Sequence, residues 1–188
     1  FPNKKDRIIS GTFLVSLLND ETYRTHPWLT LKDMTVAGDV TAYNLELPLD
    51  LFLYNFTFKG HVNMGSSHYQ RLRIQDSVFE QYVYFDQAVF EKNLELGRDI
   101  FAQGVYFKGA RIGADLLMDN CKVLGKKRAP RAYYAIYPSE FWQMTVGRSA
   151  VFDGTYFQGE TTFQRSYFSS ASFVGARFDG KSTFSRMQ

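Results

Sequence analysis

The chain has 188 residues, enough for one domain with an ordinary core. Apolar residues make up 45% and charged residues 22%, the balance of a globular protein, and no apolar run of about 18 residues is present to cross a bilayer as a helix. The formal charge is +3, and the single Cys121 excludes an internal disulfide.

Residues 1–28 read as an N-terminal cap. In "SGTFLVSLLND", Ser10 is placed to cap a short helix that presents Phe13, Leu14, Leu17 and Leu18 on one side. The chain begins at Phe1 without Met and stops at "STFSRMQ" in mid-repeat, so it reads as a piece of a longer protein. On that reading the natural chain continues past Gln188 and the fragment self-associates weakly, end to end, through an open last layer.

From residue 29 an 11-residue metre takes over. Apolar pairs two apart recur at Leu29/Leu31, Val40/Ala42, Leu51/Leu53 and Val62/Met64, then, after one deletion, at Leu72/Ile74, Val83/Phe85, Leu94/Leu96, Val105/Phe107 and Leu116/Met118. A second series interleaves with it, from Met34/Val36 through Ser77/Phe79, Ala88/Phe90, Asp99/Phe101 and Ala110/Ile112 to Cys121/Val123. An 11-residue period also suits a right-handed coiled coil, but a spacing of two is the strand period, and the tract is rich in Phe, Val, Tyr and Thr with Gly at the corners. Each pair is therefore a very short strand pointing two side chains inward. Four such segments make a coil of about 20–22 residues, and coils stacked at about 4.8 Å give an all-β, four-walled parallel β-helix. Phe85, Phe107 and Phe157 fall on its axis.

The metre breaks at Gly125–Ser149, "GKKRAPRAYYAIYPSEFWQMTVGRS", which reads as an inserted loop. Lys126, Lys127, Arg128, Arg131 and Arg148 stand there against Glu140 alone, a balance of +4. Beside them lie Tyr133, Tyr134, Tyr137, Phe141 and Trp142, so the segment either receives an anionic partner or packs back on the wall. Residues 150–188 resume with a 21-residue coil. Phe152, Gly154, Phe157, Gly159, Phe163 and Arg165 fall on Phe173, Gly175, Phe178, Gly180, Phe184 and Arg186, and small residues occupy Ala150, Thr155, Thr161, Ser166, Ala171, Ala176 and Ser182.

These C-terminal units, "TYFQG", "ASFVG" and "ARFDG", resemble those of the pentapeptide-repeat proteins, in which a small residue, a polar residue and a central Leu or Phe are followed by two more. Residues 29–124 resemble that repeat more loosely. The resemblance implies a right-handed quadrilateral β-helix without enzymatic activity. The best-known members of that family resemble DNA in shape and charge and bind type II topoisomerases; a sequence pI near 8.9 denies this chain the acidic surface such mimicry needs.

No nucleotide, metal or nucleophile motif stands out. His26, His61 and His68 lack ligand spacing and read as surface residues, Cys121 takes an inward small position, and Asp115 and Asp119 are badly spaced for paired acid–base work. No cofactor is expected. Outward-facing Tyr84 and Tyr106 are 22 residues apart and stack on one wall, as do Val78 and Ile100, and Arg73 with Glu95 reads as an ion pair between coils. The leading expectation is a non-catalytic interaction or scaffold domain of a larger bacterial protein, envelope-associated, with another protein as partner. The alternatives are a topoisomerase-binding DNA mimic and a carbohydrate-binding β-helix whose exposed tyrosines stack on sugars.

Overall fold

The computed structural model describes residues 7–125 and 139–187, and within them the chain winds as a parallel β-helix. The first wall is an eight-stranded sheet from Ile8–Ser10 to Arg177–Phe178, and the second a seven-stranded sheet from Val40–Thr41 to Ser182–Thr183. The third and fourth walls belong to one nine-stranded sheet, because strands such as Glu46–Tyr54 and His68–Gln75 turn the corner between them without breaking. Every pairing is parallel, as a chain that winds in one direction requires. The sequence deletion is absorbed at that same corner, where the register slips between Leu47/Tyr69 and Asp50/Arg71.

The two apolar series are the core. Every inward member from Val36 to Val123 is buried, whereas Leu29, Leu31 and Met34, in the first coil, are only partly covered. Down the second wall the inward rings form a column: Phe85, Phe107, Phe141 and Phe163 stack at 5.1, 5.1 and 4.7 Å between successive centroids. Small hydroxyl residues at the head of a unit stitch coils together. Ser67 Oγ donates to the Ala42 carbonyl at 2.6 Å and accepts from the Leu45 amide at 2.8 Å, joining two layers of corner backbone that would otherwise be buried and unpaired.

The corners depart from expectation. Glycine is the residue expected to permit the bends, yet most left-handed positions among the described residues carry other residues, among them Asn44, Asn55, Asp76, Gln87, Arg98 and Asn120, all with φ between 55° and 58°. Asn and Asp tolerate this conformation because their short side chains hydrogen-bond locally. Glycine is needed where backbones of adjacent coils nearly touch. A Cβ on Gly147 would stand 2.3 Å from the Gly113 carbonyl oxygen.

The cap is partly corrected. A helix does span Gly11–Asn19, with the Ser10 side chain accepting from the Phe13 amide at 3.0 Å. It buries Leu14 and Leu18, leaves Leu17 half-covered and turns Phe13 outward, 54% exposed. Ahead of the helix, Ile8–Ser10 already adds a strand to the first wall, so part of residues 1–28 is solenoid.

The larger correction concerns Gly125–Ser149. Ser139 and Glu140 pair with Val105 and Tyr106 on the second wall, and Thr145 and Val146 pair with Arg111 and Ile112. Residues 139–149 are thus ordinary coil, with Ser139, Phe141, Met144 and Val146 in the inward positions and buried. The register offset across this stretch is 34 residues instead of 22, so 12 residues are added between the first and second walls. Residues 126–138 lie outside the described part.

Candidate functional site

A strand residue two places from an inward one also points inward, so the residue between them faces out. On the second wall those outward positions, one per coil, are Thr41, Asn63, Tyr84, Tyr106, Glu140, Thr162 and Thr183. Parallel pairing in register places like above like, so the 22-residue spacing stacks Tyr84 on Tyr106 with centroids 5.0 Å apart and planes at 18°. Tyr84 is half-buried and Tyr106 is 9% exposed, which corrects the expectation that both are open rings.

Their covering comes partly from residues that the periodicity did not single out. Tyr82 lies 5.8 Å from Tyr106 and 6.3 Å from Tyr84, and His61 stacks on Tyr82 at 5.8 Å with planes at 6°. Below them Trp142, in the segment whose sequence reads as a loop, stands on the same face two places beyond Glu140. The Lys108 ammonium sits 4.8 Å from its ring centre. His61 is therefore one end of an aromatic surface that runs down several coils to Trp142.

Two carboxylates are set into this surface. Asp86 accepts a hydrogen bond from the Lys108 amide at 2.9 Å; burial pushes its carboxyl above the usual range, against the pull of Lys108. Glu140 is pushed up by burial first and by the neighbouring Asp86 second. The same desolvation raises the Tyr84 and Tyr106 phenols. Among the described residues neither carboxylate forms an ion pair, which distinguishes them from Asp76 with Arg98, Glu80 with Lys59, Asp115 with Arg148 and Asp179 with Arg177. A hollow opens beside each. One of about 280 Å³ is lined by Tyr43, Asn63, Tyr84, Asp86 and Lys108; the other, of about 310 Å³, is lined by Lys108, Glu140, Trp142, Thr162 and Gln164.

The other candidates lead elsewhere. Lys126, Lys127, Arg128, Arg131, Tyr133, Tyr134 and Tyr137 lie outside the described residues, and Arg148 belongs to a coil, bonded to Asp115 at 2.6 Å. Arg73 and Glu95 do form the expected pair at 2.5 Å, on the fourth wall. His68 is held between Glu91 at 2.6 Å and Glu46 at 3.3 Å, beside a cleft of about 270 Å³ whose polar lining is thus bonded within the chain. Cys121 is buried, its thiol donates to the Leu96 carbonyl, and burial raises its pKa far from that of a reactive thiolate. Asp99, an inward member of the second series, accepts from the Ser77 amide at 2.8 Å, while its second oxygen is buried without a partner. Burial pushes that carboxyl well above the ordinary range, against the opposing hydrogen bond from the Ser77 amide.

The fold and its aromatic wall define the class as a four-walled β-solenoid with one elaborated face. Compared with protein-family models and with curated proteins, the chain matches none.

Proposed function

We propose that the chain is a non-catalytic protein-interaction module of pentapeptide-repeat type, and that its contact face is the outer side of the second wall. The observation that carries this reading is the run of His61, Tyr82, Tyr84, Tyr106 and Trp142 on one rigid surface, flanked by two hollows. Tyrosine and tryptophan offer large contact area at low entropic cost and dominate interface hot spots. A solenoid suits the role because its stacked coils hold such a strip flat without loops to order.

The alternatives fare worse on the same surfaces. Sugar platforms need a free ring face, and here Tyr84 and Tyr106 cover each other while Lys108 covers Trp142. Mimicry of DNA needs columns of unpaired anions, whereas the carboxylates of Asp76, Glu80, Glu95 and Asp115 are each neutralised by a basic residue of a neighbouring coil.

The test is site-specific photo-cross-linking in cells. With p-benzoyl-phenylalanine in place of Tyr84, the reading expects a discrete protein adduct that is absent when the probe replaces Val78 on the first wall. Equal labelling from both walls, or adducts from Val78 alone, would refute the choice of face.

A further inference from the structure

Residues paired in register on successive coils form ladders of outward side chains, one rung per coil at about 4.8 Å. One such ladder on the fourth wall runs Phe52, Arg73, Glu95. The Arg73 guanidinium lies 5.5 Å from the Phe52 ring centre and bonds to Glu95 at 2.5 Å, so ring, cation and carboxylate take three successive rungs. A guanidinium suits the middle rung because it is planar and weakly hydrated: its face rests on a ring while its edge donates to a carboxylate. Beneath it Glu95 is only 8% exposed.

On the same three coils, at the edge of the second wall, a ladder has the same two ends without the middle. The Asn44 amide donates to the Gly65 carbonyl and the Ser66 amide to the Asp86 carbonyl, which sets Tyr43, Gly65 and Asp86 on successive rungs. Glycine is held there by the closeness of the next coil, since a Cβ on Gly65 would stand 2.9 Å from the Asp86 carbonyl oxygen. The chain therefore cannot supply a side chain to this rung, and a hollow of about 280 Å³ opens over it. On one side the Tyr43 ring is 52% exposed, and half-buried Tyr84 forms the flank. On the other side stands Asp86, which forms no ion pair among the described residues. Lys108, one rung further on, gives Asp86 its amide hydrogen bond and carries its ammonium to the rung beyond, 4.8 Å from the Trp142 ring centre. Burial pushes the Asp86 carboxyl up by more than Lys108 pulls it down, the mark of a carboxylate whose charge is incompletely compensated.

We infer that the hollow over Gly65 is a binding site for a single guanidinium group, which completes between Tyr43 and Asp86 the rung that Arg73 fills between Phe52 and Glu95. Tyr43 offers the ring face and Asp86 the acceptor. The inference goes beyond the choice of contact face and holds alike for an arginine side chain of a partner and for a free guanidino compound.

The test is titration of the isotope-labelled chain with a Gly/Ser peptide carrying one arginine, followed by nuclear magnetic resonance at the amides of Gly65, Ser66 and Lys108, the last of which donates to Asp86. The expected result is a saturable shift of these signals that needs at least tenfold more ligand when citrulline, neutral and of the same shape, replaces the arginine. Asp86→Asn, which keeps an oxygen for the Lys108 amide and removes the charge, and Tyr43→Leu, at an exposed ring, should each weaken binding severalfold while the rest of the spectrum stays that of the parent. A parallel titration with methylguanidine distinguishes the sources: shifts with both ligands mark a site for the free group, and shifts with the peptide alone mark a partner's arginine. The inference is overturned by no shift up to about 20 mM peptide, where a site of millimolar Kd is nearly full, by equal binding of the arginine and citrulline peptides, or by binding that neither substitution weakens. The titration needs no partner, so its failure is separate from a failure of the cross-link at Tyr84.

Discussion

Replacing Phe141 with Ala tests the register of the chain where sequence and structure part company. As a loop residue, Phe141 would be worth within about 0.5 kcal/mol of nothing on truncation. In the structure its ring is fully buried, stacked on Phe107 at 5.1 Å and on Phe163 at 4.7 Å, and met edge-on by Phe152 at 5.4 Å and Phe157 at 6.1 Å. Loss of the ring leaves a cavity between two coils that cannot close, since hydrogen-bonded walls fix their separation. Buried Phe→Ala changes cost about 3–5 kcal/mol, against a whole stability of about 5–15 kcal/mol for a typical domain. Guanidinium chloride unfolding followed by far-UV circular dichroism reads this as a large fall in midpoint. A loss below about 1 kcal/mol would mean that residues 139–149 do not complete a coil.

Asp99→Asn is expected to stabilise the protein at neutral pH. The folded-state pKa of Asp99 is raised well above the usual ~3.9, so its contribution is intact below about pH 4 and declines as pH rises from there toward the folded-state value; Asn removes that decline. Thermal melts across this range should show the variant ahead near pH 7 and level with the parent in acid, and a variant less stable at neutral pH would refute the cost assigned to burying this carboxylate. Replacing residues 126–138 with one glycine leaves three residues between Val123 and Ser139, as Ala102, Gln103 and Gly104 stand between Phe101 and Val105, and circular dichroism should show a folded, β-rich protein. An unfolded product would show that the added residues are structural. Cys121 should resist an aromatic disulfide reagent in the folded chain and react fully in denaturant, and rapid labelling of the native protein would contradict its burial.

The periodicity of the sequence carried most of the fold because inward residues answer to one constraint, the width of the tube. Val62, Val83 and Val105 repeat because the same gap recurs in each layer. Corners answer to a different constraint, a left-handed backbone that Asn, Asp, Gln and Arg all satisfy here, so no single residue type announced them. The Ser139/Phe141 pair has the small-x-Phe form of its neighbours, but the jump in register from 22 to 34 hid it behind a run of basic residues and tyrosines. The proposed contact face was half legible. Tyr84 and Tyr106 declare themselves by their spacing, whereas His61 and Tyr82 sit ahead of the strand at a corner position that Asp39, Gly104 and Glu160 fill in other coils, where alternation has no hold. Trp142 and Glu140 became visible only with the corrected register.

The most direct measurement of the account is the affinity of the partner cross-linked at Tyr84 for the parent chain and for a Tyr84→Ala, Trp142→Ala variant of unchanged fold. Truncation of two hot-spot aromatics at about 2 kcal/mol or more each predicts a loss in affinity on the order of a thousandfold, read by calorimetry or surface resonance. An affinity within threefold of the parent would contradict the assignment of the second wall as the contact face.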